Sequence, residues 1–358
     1  MISNLTRRGF LSRGAGAAGV ALAAPRLFAE APAAKGAVST ADRSAVALVK
    51  GEDRRKNVAE ALALVEGDIL PVLRQKKYVV IKPNVVSLIQ PLAATHADAL
   101  NGILDFLAPR WKGPVVIAES SAADTFTGYE QFGYTKVPAE HKGRDVKLVD
   151  LNAEGGYQVL HILDDHLHLQ PVRLAARLLD PDAYVICSTQ MKTHNAVVAT
   201  LSVKNMALGA PLHSAPKDPK RWSDKRRYHV GIRQMHYNIT LTAQRMKPFW
   251  GAAVIDGFEG MEGNGPNSGL PVPSRLAIAS TDYIAADRVG VECMGIDPGW
   301  VGYLNYCHEL GIGRYDLAKI DVRGAAVADA KKPYQLHRDI ERMLQWMGPM
   351  TELPGKLG

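Results

Sequence analysis

Cysteine is scarce in this chain: Cys187, Cys293 and Cys307 stand far apart, with no C-x-x-C spacing. Three cysteines cannot furnish a four-cysteine zinc or iron–sulfur site, and they cannot all pair as disulfides. Buried free thiols are the expectation. Long apolar runs are lacking too. The longest near the N-terminus, residues 14–24, is rich in Gly and Ala and too short to cross a bilayer as a helix. No H-x-x-x-H or H-E-x-x-H marks a metal-binding helix, and no G-x-S-x-G marks a nucleophile elbow. No G-x-G-x-x-G follows the first strands. These absences disfavour a Ser–His–Asp hydrolase and a dinucleotide-binding dehydrogenase. The rest of the composition is globular, 47% hydrophobic and 22% charged over 358 residues, which excludes a disordered, collagen-like or coiled-coil chain.

Positive charge is present but unevenly placed. Arg7, Arg8, Arg13 and Arg26, with no acid among residues 1–29, account for four of the seven formal positive charges. The segment 217–227 holds six Lys/Arg against Asp218 and Asp224, which leaves the remainder close to neutral. A nucleic-acid binder spreads basic residues over one face, so no nucleic-acid partner is expected. The segment, with Pro216, Pro219 and Trp222, reads as an exposed basic insertion, solvated rather than docked on a partner.

Thr6-Arg7-Arg8-Gly9-Phe10-Leu11, followed by a weakly apolar Gly/Ala stretch, closely resembles a twin-arginine (Tat) export signal. Small residues near 29–33 offer cleavage sites. The Tat translocase is then a partner during export, the mature protein is periplasmic or secreted, and no transmembrane anchor is expected after cleavage. Four glycines (9, 14, 16, 19) argue against an amphipathic first helix. The expected organisation is a signal at 1–29, a linker at 30–44, one α/β domain at 45–330, and a C-terminal helix and tail at 331–358.

Within the domain, short apolar runs alternate with helical patterns. Strands are expected at 45–49, 78–81, 114–119, 146–151, 183–188, 252–255, 276–279 and 320–322, with a hairpin at 158–169 around Asp164-Asp165. Helices are expected at 57–74, from a Thr95 cap to Leu107, and at about 228–246, 282–294 and 301–310. Continuous apolar strands between helices predict an α/β fold: a mainly parallel sheet with helices on both faces and one inserted segment near 205–228.

Polar groups sit at the C-terminal ends of these strands: Lys82-Pro83-Asn84, Glu119-Ser120-Ser121, Met191-Lys192-Thr193-His194-Asn195, Asp256-Gly257 and Ser280-Thr281-Asp282. In open parallel sheets that edge is where ligands bind. The pieces Ile81-Lys82-Pro83-Asn84, Ala94-Thr95-His96, Met191-Lys192-Thr193-His194 and Thr200-Leu201-Ser202-Val203-Lys204-Asn205 form an ordered set. It continues through Asp256-Gly257, Glu262-Gly263-Asn264-Gly265-Pro266, Ser280-Thr281-Asp282 and Ala286-Asp287. In order and spacing, over roughly 78–312, this set resembles the DUF362 family, a domain of unknown function. Many relatives carry a ferredoxin-like cysteine module; this chain has none, so no iron–sulfur cluster is implied. The resemblance implies no particular reaction.

Read chemically, Lys82, Lys192 and Lys204 each lie near an amide (Asn84, Asn195, Asn205), a pairing that suits a carboxylate or phosphate. The competing expectation is that each lysine pairs with a loop carboxylate to fix the backbone. Substrate contacts are expected from Lys82, Asn84, Lys192, Lys204, Asn205 and Asn264. His194, with His96 second, is the candidate for proton transfer. The five-glycine stretch 256–269 reads as a loop, either a rigid turn or a place where Asp256, Glu259 or Glu262 hold a divalent metal, Asp256 and Glu262 foremost. His161, His166 and His168 read as solvated. The expectation is thus an exported enzyme acting on a small anionic ligand, with a divalent metal as its candidate cofactor. The alternatives are a non-catalytic binding or cofactor-maturation protein, and a redox protein loaded before export.

Overall fold

The structure, a computed structural model, describes residues 43–215 and 218–348. The twin-arginine segment, most of the 30–44 linker and the tail beyond Gly348 lie outside the described residues. In chain order the strands are β1 (Ser44–Lys50), β2 (Tyr78–Lys82), β3 (Val115–Glu119), β4 (Val146–Asp150), β5 (Tyr157–Leu163) and β6 (Leu169–Ala175). There follow β7 (Ala183–His194), β8 (Val198–Thr200), β9 (Trp250–Asn264), β10 (Ser268–Val272), β11 (Leu276–Ser280) and β12 (Ile320–Gly324).

The main sheet runs β12-β1-β11-β9-β7-β2-β3-β4, with β10 paired to β9 and β8 to β7. Strands β9, β7, β2, β3 and β4 are mutually parallel, whereas β11 runs against both β9 and β1. The sheet is therefore mostly parallel and covered by helices on both faces, an α/β fold. One face buries Val79, Ile81, Ile117, Ile186 and Val254 against helices Arg54–Leu64 and Ala97–Leu107. The other buries Val80, Ala118, Cys187, Ala253 and Ile255 against helices Ser202–Gly209, Ile232–Met246 and Tyr283–Cys293. Burial of each large aliphatic side chain contributes about 1.5–3 kcal/mol. All three cysteines are buried and unpaired.

Several expectations need correction. The helix at 57–74 is two, Arg54–Leu64 and Glu66–Leu73, broken at Val65, although its apolar stripe of Val58, Ala61, Leu62, Val65, Ile69 and Leu73 is buried throughout. His96, not Thr95, caps the helix Ala97–Leu107; its Nδ1 accepts from the Asp98 amide (3.1 Å). Strand β7 continues through the polar residues Thr189–His194, because β2, β8 and β9 supply its backbone partners along its length. The glycine-rich stretch 256–269 is likewise not a loop but the end of β9 and its hairpin to β10. At Gly260 a Cβ would meet the Tyr334 hydroxyl and the Met191 carbonyl, so the glycine permits close approach rather than a turn. Lys204 and Asn205 lie inside the packed helix Ser202–Gly209, which places the start of the insertion later than 205.

Candidate functional site

The chain leaves β2, builds outward through β3 and β4, and returns to pair β7 on the opposite side of β2. Strand order reverses there, and the crevice beyond the carboxyl ends at such a point is the usual ligand site of an open α/β sheet. A pocket of about 290 Å³ opens at this place, lined by Lys82, Glu119, Lys192, His194, Lys204, Asn205, Lys225 and His229 among others. Four lysines face one carboxylate.

An ammonium offers three N–H donors, and counting them separates the four. Lys82 is wholly buried and donates to the Pro83 carbonyl (2.9 Å), the Glu119 carboxylate (2.9 Å) and Asn205 Oδ1 (3.1 Å). It has no donor left. Lys225 donates to Ser120 Oγ (2.8 Å) and the carbonyls of Leu208 (2.9 Å) and Gly209 (3.5 Å). Lys192 donates to Asn84 Oδ1 (2.5 Å) and the Ala93 carbonyl (3.3 Å), leaving one N–H. Lys204, 8% exposed, has no hydrogen-bond or ion-pair partner among the described residues. Its position is set by the helix Ser202–Gly209, whose first two amides donate to the Asp287 carboxylate (2.8 and 3.0 Å).

Asn205 wires the lysines together. Its Oδ1 accepts from Lys82 and from Asn84 Nδ2 (3.1 Å each), while its Nδ2 faces the carbonyls of Pro83 and Ser188. Asn84 and Asn205 thus line the pocket as positioning groups for Lys192 and Lys82. For Lys82 the competing expectation, pairing with a carboxylate, describes the geometry. Crowding four cations away from water is costly. Burial pushes Lys192 down to about 7, with the nearby Lys204 charge adding, and burial brings Lys204 and Lys225 to about 7 as well.

The two histidines of the pocket are in opposite tautomers. Nδ1 of His194 accepts from the amides of Ala196 (3.0 Å) and Val197 (3.4 Å), so the proton of the neutral ring sits on Nε2. Burial, then the Lys204 charge, holds His194 well below its ordinary value. Its neutral ring is a hydrogen-bond donor at Nε2, not a base. His229 donates from Nδ1 to the Lys225 carbonyl (3.1 Å), which leaves its Nε2 as a free acceptor at the pocket mouth. Desolvation lowers its value too, with Lys204 next.

The family model for the domain of unknown function DUF362 matches residues 79–292, more than half of the chain. The chain belongs to the DUF362 family. No curated protein matches it. Among solved structures it is similar to a crystal structure of a protein from Thermotoga maritima, at 12% identity and a TM-score of 0.39. The match covers 62% of this chain and 55% of that one, so the chain spans little more than half of that protein's length.

Not every expected residue of this DUF362 chain enters the pocket. His96 lies apart from it, half-exposed at its helix cap beside Arg54 and Asp256, and its value is lowered by desolvation and then by Arg54. Asn264 is exposed and accepts from the Arg338 amide (3.3 Å). Asp256 and Glu262 each have protein partners. Asp256 is buried on the opposite face of the sheet from Lys82, 3.2 Å from the Arg54 guanidinium, and accepts from the Phe258 amide (2.9 Å). Glu262 accepts from the Gln335 amide (2.8 Å). Among the described residues no group of three or more His, Cys, Asp or Glu is arranged to hold a metal. His166 and His168 stand exposed beside Asp164 and Asp165 in the β5–β6 turn.

Sequence reasoning missed Lys225 and His229. Lys225 is indistinguishable by pattern from Arg226 and Arg227, which are exposed, and the segment reads as a solvated insertion. Its inward turn follows from Asp224, which is buried and holds Arg173 (2.8 Å) and the Leu212 carbonyl (2.9 Å, from its amide).

Proposed function

We propose that the pocket takes a small anionic compound, a carboxylate or phosphate, and that the protein is an enzyme acting on it. One observation carries this reading: Lys192, Lys204 and Lys225 share a pocket whose single carboxylate, Glu119, is already bound to Lys82. The unmet positive charge calls for an anion, and only Lys192 and Lys204 retain full N–H donors to meet it. Truncating one partner of a desolvated, hydrogen-bonded charge pair of this kind costs about 2–5 kcal/mol. The volume, about 290 Å³, suits a compound of a few heavy atoms rather than a nucleotide or a polymer.

The test is a melting-temperature and calorimetric titration of the full chain with sulfate, inorganic phosphate and small carboxylates. Binding should raise the melting temperature, and Lys192→Ala or Lys204→Ala should abolish the shift while leaving the unliganded protein folded. A set of anions that leaves the wild type unmoved would end the reading. The reading includes export by the Tat translocase and a periplasmic or secreted location, on the strength of Arg7 and Arg8 in the Thr6–Leu11 motif. Changing both arginines to lysine keeps the charge and should leave precursor in the cytoplasm; continued export of that variant would refute it.

A further inference from the structure

We propose that Lys204 is an amine nucleophile that forms an imine with the carbonyl carbon of a small oxo acid, whose carboxylate is held by Lys192. The proposal rests on the anion-binding reading of the same pocket and goes further, to the chemical class of the ligand and the bond it makes.

Donor accounting is the ground. An imine-forming lysine needs an unprotonated nitrogen with its lone pair uncommitted, and a lysine whose protons are fastened to acceptors is held as an ammonium. Lys82 donates three hydrogen bonds, one of them to a carboxylate, and Lys225 also donates three. Lys204 donates none among the described residues, is 8% exposed, and has no carboxylate beside it. Desolvation together with neighbouring cations is a recognised way to free an amine for attack on a carbonyl. Burial lowers the Lys204 ammonium to about 7, as it does those of Lys192 and Lys225, so it is the absence of hydrogen-bond acceptors that sets Lys204 apart.

The rest of the pocket supplies the other parts. Lys192 keeps one N–H for the carboxylate of the oxo acid. The His194 ring, with its proton on Nε2, donates toward the carbonyl oxygen as charge develops there, a use of a neutral imidazole as electrophile. His229, with Nε2 unprotonated, receives the proton that leaves the attacking nitrogen.

The step balances without an oxidant or reductant. The Nζ lone pair forms the C–N bond, and the C–O π pair moves to oxygen, which takes a proton from solvent to give a carbinolamine. Nitrogen gives one proton to His229 Nε2. The hydroxyl then departs as water, carrying that proton, while the remaining nitrogen lone pair forms the C=N bond. Protonated at nitrogen, the imine is an electron sink for cleavage or proton loss at the adjacent carbon.

Pyruvate is the probe. The full chain is incubated with pyruvate and sodium cyanoborohydride, digested, and mapped by mass spectrometry, alongside a melting-temperature titration with pyruvate alone. The expected result is one reduced adduct on Lys204, suppressed by sulfate. Lys204→Arg, which keeps the charge, should lower the adduct at least about tenfold. Lys204→Met, close in length and uncharged, should lose it equally, and an unchanged melting temperature for either variant guards against a folding artefact. If pyruvate raises the melting temperature but no adduct forms on Lys204, the imine is refuted and the anion site survives. If pyruvate and sulfate both leave the melting temperature unmoved and adducts scatter over surface lysines, both readings fall.

Discussion

Lys82 and Glu119, at the ends of adjacent strands β2 and β3, form an ion pair of 2.9 Å with side-chain exposures of 0% and 3%. It is the floor of the pocket. With Asn205 it ties two strands to the helix that carries Lys204. The pair neutralises itself, so the lysines of the pocket without a carboxylate partner are Lys192, Lys204 and Lys225.

Glu119→Gln should therefore be severe. Removing one partner of a buried pair leaves an uncompensated charge, at a cost of about 3–5 kcal/mol. The double variant Lys82→Met/Glu119→Gln, which removes both charges, should recover much of that loss. Urea denaturation measures both. A single variant as stable as wild type would show that the pair is not what compensates Lys82.

Gly209 is the second structural prediction. A Cβ at this position would overlap Cε and Nζ of Lys82. Lys82 is held in place by three hydrogen bonds that moving aside would break, so Gly209→Ala should destabilise by about 1–3 kcal/mol, in the range of overpacked cores. It should also weaken sulfate binding, because the same helix end receives Ser120 Oγ and Lys225 at the Gly209 carbonyl. A neutral or stabilising effect would mean that Lys82 lies elsewhere in solution.

The pH dependence has a definite sign. Lys192, Lys204 and Lys225 are lowered from 10.5 to about 7 by burial. Between those values the unfolded chain binds more protons than the folded one, so stability rises with pH across this window and is lost as pH falls through about 7. A bound anion favours the charged ammonium and raises these values, so its binding takes up protons. Sulfate, whose charge is constant over this range, should shift the melting temperature more at about pH 6 than at about pH 9. A shift that grows with pH would contradict the assignment of the lysines.

His194 and His229 should separate in their effects. Nδ1 of His194 takes two backbone amides in the turn between β7 and β8, and its loss leaves those donors unpaired at about 1–3 kcal/mol. His229 is exposed at the mouth, where substitutions usually stay within about 0.5 kcal/mol. Chemical denaturation of the two alanine variants checks the order. Adduct formation on Lys204 should slow in His229→Ala with stability intact, whereas a destabilised His229→Ala would assign it a structural role.

The alternation of apolar strands with helices was legible because a strand buried on both faces must be apolar along its length: Val79–Ile81, Val115–Ile117 and Val185–Cys187 carry that mark. Lys82, Lys192, His194 and Lys204 were legible for a related reason, since polar groups at the ends of such strands and at the start of the next helix stand out against their surroundings. By itself the sequence determined that a parallel sheet would form and which of its edges would be polar. Local pattern could not reveal that Thr189–His194 remains strand, because its parallel partner β9 is contributed from elsewhere in the chain and overrides its polarity. Nor could it rank the lysines. Whether an ammonium is saturated depends on acceptors such as Glu119, 37 positions from Lys82, and Asn205, 123 positions away, and on the inward turn of Lys225 from an otherwise exposed basic segment. Only the tertiary structure decided which cation is saturated by the fold and which keeps free donors, because hydrogen bonds are short and directional while the residues that make them are distant in sequence.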